Sequence, residues 1–308
     1  MITRTRRAAV MLAAALLTLP ATACTTGGRT QGRTIAAGFY PLAYVAERVA
    51  GDQFRIVNLT TPGAEPHDLE LGLRQTAVIE DAELVVFEPG LQPAVDESVR
   101  VNAKGHVLDV TTVIDLEPLA EEHHDDHEGH DHGHSDEGLD PHFWLDPLRM
   151  ADLGDAVAER LADLDPAHAA DYHRRAARLR ADLTALDREF ATSLAACRLD
   201  SVVVSHDAFG YLGRYGLHFE SIAGLSPNAE PSPAQLASLD HLIEDEGVTT
   251  VFFERLASPK MAETLAAEAG VSTAVLDPVE GLTDDSAGED YLTVMRANLA
   301  ALTKANRC

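Results

Sequence analysis

The chain has 308 residues, with 24 Lys and Arg against 50 Asp and Glu and a formal charge of −26. That charge excludes a basic nucleic-acid-binding surface and suits a very soluble protein, or one that handles cations. Hydrophobic residues at 45% exclude global disorder, and the length accommodates one large or two medium domains.

Residues 1–7 (MITRTRR) are basic, 8–19 (AAVMLAAALLTL) are apolar, and Ala21-Thr22-Ala23 are small and precede Cys24. This is the order of a secretory signal, and its apolar run is too short for the roughly 20 residues that span a bilayer. Residues 1–23 are therefore expected to be a signal peptide. Cys24 stands where a bacterial lipobox places its lipidated residue, although Ala21 occupies a position usually held by Leu; plain secretion is the alternative. Residues 24–33, rich in Thr and Gly, read as a flexible tether.

From residue 34 strands and helices alternate. Strand-like runs at 34–40, 54–60, 84–87 and 106–110 are separated by helical patterns at 41–51, 75–82 and 91–100. The order recurs in a second half. Strands are expected at 201–205, 217–224, 249–253 and 272–276, and helices at 207–216, 233–247, 258–270 and 291–305. Short β-branched runs alternating with helices predict an α/β fold with parallel sheets of about four strands per lobe. The N-terminal lobe spans 34–147 and the C-terminal lobe 197–308. Linking helices occupy 148–196. Within them Tyr172, Ala176, Leu179, Leu183, Leu186 and Phe190 form one apolar stripe, which predicts a single long helix over about 166–196 with Asp165 as its cap. That helix is either a stiff strut between lobes or a coiled coil between chains. Cys197 and Cys308 form one disulfide in an oxidising compartment, or remain two thiols.

An acidic loop, 118–138, contains His123, His124, His127, His130, His132 and His134 among carboxylates. Imidazoles mixed with carboxylates suit borderline ions and bind them weakly on a flexible segment; a solvated acidic loop without metal is the alternative. Four further motifs carry chemistry: Gly63-Ala64-Glu65-Pro66-His67-Asp68, Asp140-Pro141-His142-Phe143-Trp144, Ser205-His206-Asp207-Ala208-Phe209-Gly210-Tyr211 and Val275-Leu276-Asp277-Pro278. His67, His206 and Asp277 follow strand ends, where parallel sheets bind ligands. With His142 they make three imidazoles and one carboxylate, a four-ligand zinc set. Glu65, Asp68, Asp207 and Glu254 are candidates to orient the imidazoles.

These motifs, in this order and with the His-rich loop just before the second, resemble the zinc-specific substrate-binding proteins of ABC transporters over about 33–308. The resemblance implies two α/β lobes joined by one long rigid backbone helix, with Zn²⁺ in the cleft. It assigns His67 and His142 to the first lobe and His206 and Asp277 to the second. A Glu stands at the position of His206 in manganese-type relatives, so His206 favours zinc. Some zinc relatives carry a Glu directly before the first His; here Pro66 is there and Glu65 is one residue further off, which leaves Glu65 as an alternative fourth ligand. The resemblance further implies an extracytoplasmic, lipid-anchored, monomeric receptor that passes Zn²⁺ to a membrane permease. Alternatives are a Mn²⁺, Fe²⁺ or Ni²⁺ receptor, or a zinc-dependent adhesin. A zinc hydrolase is disfavoured, because no HExxH helix is present and a fourth protein ligand closes the site.

Overall fold

Eight strands, each of four residues, make two parallel sheets in the computed structural model, which describes residues 33–119, 138–283, 286 and 288–308. The expected signal peptide, Cys24, the expected tether up to residue 32 and the His-rich segment 120–137 lie outside the described residues. The first sheet contains β1 (Thr34–Ala37), β2 (Arg55–Asn58), β3 (Leu84–Phe87) and β4 (His106–Asp109) in the order β2-β1-β3-β4. The second contains β5 (Ser201–Val204), β6 (His218–Ser221), β7 (Thr250–Phe253) and β8 (Ser272–Val275) in the order β6-β5-β7-β8. Every pairing is parallel, and the same strand order appears twice. Residues 33–308 nevertheless form one compact unit.

The period-2 geometry of a strand explains how each sheet is covered on both faces. In the first, Ile35, Ala37, Leu84 and Val86 point into a central core, whereas Ala36 and Val85 point outward. The outward face meets α2 (Leu73–Asp81) and α3 (Pro93–Asn102) through Ile79, Val95 and Val99. In the second, Val202, Val204 and Phe252 face the same central core, and Val203 and Val251 face α6 (Pro233–Glu246) and α7 (Lys260–Ala269). The central core is completed by α1 (Tyr40–Ala50), α4 (Pro147–Leu164), α5 (Ala169–Leu194) and α8 (Tyr291–Ala305).

Helix α5 has 26 residues and is roughly 39 Å long at 1.5 Å per residue. All six residues of the predicted stripe are buried on it, and it packs against α1, α4 and α8. The helix is shorter than the expected 166–196. Residues Pro166–His168 form a 3-10 turn first, because Asp165 does not cap them. Its Oδ2 is already taken by the Tyr172 hydroxyl at 2.8 Å, His168 Nδ1 at 2.8 Å and Arg33 at 2.8 Å. The expected helix at 207–216 is likewise only a 3-10 stretch, Gly210–Tyr215. There Tyr211 is drawn across to the first half: its hydroxyl donates to the Asp140 carbonyl at 2.8 Å and accepts the Glu117 N–H at 2.9 Å. Cys197, just past α5, forms a disulfide with Cys308 across 111 residues.

Candidate metal centre

Both sheets present the carboxyl ends of their strands to one buried point, and four loops converge there. His67 lies in the loop after β2. His142 precedes a 3-10 turn, Phe143–Leu145, that leads into α4. His206 follows β5 by two residues, and Glu280 lies in the loop after β8. One ligand atom from each of these four residues lies within 4.8 Å of the others. Glu280 Oε1 is 3.5 Å from His67 Nε2, 3.6 Å from His142 Nε2 and 3.4 Å from His206 Nε2. A tetrahedral ion with bonds of about 2.0–2.2 Å has ligand–ligand edges of roughly 3.3–3.6 Å, which matches these separations. The three Nε2 atoms and both Glu280 oxygens are buried without a well-formed hydrogen bond. Such groups are costly to bury unpaired, and a shared cation satisfies all of them at once.

The imidazoles are aimed by carboxylates behind them. His142 Nδ1 is 2.7 Å from Asp140 Oδ1, and His206 Nδ1 is 2.8 Å from Glu254 Oε1. Each contact fixes the tautomer that leaves Nε2 free to coordinate. Glu254 also accepts from the Ser205 hydroxyl at 2.7 Å. Gly210 lies so close to Asp140 that a Cβ there would sit 2.7 Å from Oδ2, which explains a glycine at that position. Glu254 is a candidate orienting group from sequence; Asp140 is not.

Asp277, expected to be the fourth ligand, is not part of the convergent group. Its Oδ1 accepts the Val279 N–H at 2.8 Å and its Oδ2 lies 3.6 Å from Arg255. The reason is a device used four times around the site. At Glu65-Pro66-His67, Asp140-Pro141-His142, Asp146-Pro147-Leu148 and Asp277-Pro278-Val279, the carboxylate accepts the N–H two residues on, at 2.8–2.9 Å. An acidic residue before proline thus closes an Asx-type turn, or its Glu equivalent, and the turn sets the residues that follow. In the last case the following side chain that reaches the centre is Glu280, whose residue is fully buried. Glu65 is engaged in the same way, through the His67 N–H. Asp68 accepts from Asn228 Nδ2 at 2.8 Å, and Asp207 donates its N–H to the Gly224 carbonyl. Neither contact is to an imidazole.

The electrostatics follow from crowding. Burial would lower the His206 pKa, but hydrogen bonding to Glu254 and the facing Glu280 raise it to about 10. Burial would raise Glu280; the opposing imidazoles of His206 and His67 hold it well below the usual carboxylate range. Burial and the charge of Glu280 push Glu65 up to about 7. Burial raises Asp277 to about 6, partly offset by the Val279 N–H and Arg255. The surrounding carboxylates thus favour a positive charge among the imidazoles. Trp144 closes one side, its ring 5.1 Å from that of His142.

The sequence profile of a family described as "Zinc-uptake complex component A periplasmic" matches residues 35–305. The chain belongs to this family. A curated relative, the zinc-binding lipoprotein AdcA of Streptococcus pneumoniae serotype 4, is 37% identical over 306 residues, covering 95% of this chain and 60% of AdcA. The high-affinity zinc uptake system protein ZnuA of Bacillus subtilis is 33% identical over 270 residues, covering 86% of this chain and 84% of ZnuA. Among solved structures, the Zn(II)-bound ZnuA-like domain of Streptococcus pneumoniae AdcA superposes with a TM-score of 0.74 at 33% identity, covering 89% of this chain and 99% of that domain. The chain spans only 54–60% of the length of the AdcA relatives it matches. The paired four-stranded parallel sheets and the long helix are the fold of this family.

Proposed function

We propose that the chain is an extracytoplasmic receptor that captures Zn²⁺ and delivers it to an ABC-type permease. The observation that carries the reading is the buried, mutually unsatisfied set of three Nε2 atoms and one carboxylate. In this reading His67, His142, His206 and Glu280 hold the ion. Neutral imidazoles with a single carboxylate suit Zn²⁺ better than a harder ion such as Mn²⁺, which favours oxygen donors. Four protein ligands leave no open position for an activated water, so the chain acts as a receptor and not as an enzyme. The names of the AdcA and ZnuA relatives support the same cargo.

The lobes run over 34–147 and 197–308 with linking helices between them, and the receptor works as a monomer tethered through lipidated Cys24. The name lipoprotein given to the AdcA relative supports the anchor. The His-rich segment gathers ions without forming the tight site.

The test is a titration of the chelator-stripped chain from residue 25 with Zn²⁺ and Mn²⁺ in parallel, against a competing chelator. One tight Zn²⁺ site with much weaker Mn²⁺ is expected. Comparable Mn²⁺ affinity, or no tight Zn²⁺ site, would refute the reading.

A further inference from the structure

The two imidazoles with carboxylate partners are aimed by a contact behind the ring; Glu280 faces the three imidazoles and has no such partner behind it among the described residues. Neither of its oxygens accepts a well-formed hydrogen bond, so its position is inherited from the backbone that carries it. That backbone is strained. Val279, directly before Glu280, has φ 60° and is fully buried. A β-branched residue in the left-handed region costs on the order of 1–3 kcal/mol and persists only where its surroundings hold it there.

The holding contacts come from outside the loop. The Asp277 N–H donates to Asn298 Oδ1 at 2.9 Å, and Asn298 Nδ2 donates back to the Asp277 carbonyl at 2.6 Å. Asn298 lies on α8 and is 3% exposed. The next carbonyl, that of Pro278, accepts Trp144 Nε1–H at 2.7 Å, and the Trp144 carbonyl accepts the Tyr291 hydroxyl at 2.6 Å. Two consecutive residues are thus clamped before the strained one, by a side chain of α8 and by the indole that also packs on His142.

We infer that Asn298 and Trp144 are positioning residues for Glu280, fixing the strained loop that presents the carboxylate to the cation. The inference rests on the zinc-receptor reading and deepens it. If either clamp is lost, Val279 relaxes toward negative φ and turns Glu280 away from the three imidazoles. Partners of this outer kind typically contribute about 10–100-fold to metal affinity.

The experiment is a double-mutant cycle on Zn²⁺ affinity, read by chelator competition. Asn298→Leu removes both hydrogen bonds at similar volume, and Trp144→Phe removes the indole donor while keeping an aromatic ring. Each is made in the wild-type chain and in Glu280→Ala, with thermal melting to establish folding. A positioning role predicts a loss of about 10–100-fold in the wild-type background and less than about threefold where Glu280 is already absent. Equal losses in both backgrounds, or none in either, would overturn the inference while the wild-type site stands. A wild-type chain without a tight Zn²⁺ site would overturn the receptor reading, and the inference with it. Should Asn298→Leu fail to fold, the Trp144→Phe cycle decides alone.

Discussion

Glu280→Gln and Asp277→Asn separate two carboxylates of one loop that sequence alone does not distinguish. Glu280 Oε1 stands 3.4–3.6 Å from three imidazole nitrogens, in a residue with no exposure. Glutamine keeps the shape and removes the charge. Removing one partner from a buried charged set costs roughly 3–5 kcal/mol, or about two to three and a half decades in the dissociation constant. The amide introduced by Asp277→Asn would keep the oxygen that accepts the Val279 N–H, so the turn that presents Glu280 survives. The attraction toward Arg255, at 3.6 Å, is lost together with the opposing repulsion from Glu280 and Glu254. The expected change for Asp277→Asn is therefore within about threefold. Both variants and the wild type are compared by Zn²⁺ titration against a chromophoric chelator at one pH and ionic strength. If Asp277→Asn loses as much affinity as Glu280→Gln, the geometry assigned to the loop is wrong.

Three other outcomes are expected. Glu88 is 3% exposed with neither oxygen partnered, and burial, then the charge of Asp140, raises its pKa well above the usual carboxylate range. Its stabilising contribution is complete below the unfolded value of about 4.3 and is lost as pH rises through the folded value. Glu88→Gln should thus raise the melting temperature more at pH 8 than at pH 5; an equal shift at both would contradict the argument. Replacing Cys197 and Cys308 by Ser opens a loop of 111 residues, which in the chain-entropy model is about 5 kcal/mol, measurable by urea unfolding, with Zn²⁺ affinity unchanged. Deleting 121–137 should leave the tight Zn²⁺ site within about threefold and reduce only the weak ions counted by equilibrium dialysis. Its base is already closed, by Leu119 N–H to the Gly138 carbonyl and Asp140 N–H to the Glu117 carbonyl.

Much of this architecture is legible in the chain. Alternating β-branched runs and helical patterns place both sheets, because fully buried parallel strands tolerate little else. The 4-3-4-3-4 stripe from Tyr172 to Phe190 finds the long helix for the same reason. What stayed hidden depends on partners far away in sequence. Residues 207–216 carry a helical composition, yet Tyr211 is recruited by Asp140 and Glu117, and the local preference loses. Asp165 looks like a cap and is taken instead by Arg33, from the start of the first strand. Glu280 is hard to single out in the sequence because Asp277 is the more conspicuous acid after a strand. The signal that would have found it is the acid–proline step itself. At Glu65-Pro66-His67 and Asp140-Pro141-His142 the acid serves the backbone and a following residue reaches the centre; the same logic past Asp277-Pro278 leads to Glu280.

The central core has a consequence for how the chain comes apart. Ile35 and Val86 of the first sheet, Leu179 and Leu186 of α5, and Val204 and Phe252 of the second sheet belong to one continuous cluster. The lobes therefore share their main hydrophobic interior, and the private cluster on the outward face of each sheet is much smaller. Melting should proceed as a single cooperative event in the calorimeter, with equal van't Hoff and calorimetric enthalpies. A half-chain ending near residue 196 would carry a wide apolar face into solvent and aggregate. The same shared interior means that occupancy of a single ion site stabilises the whole fold rather than one lobe.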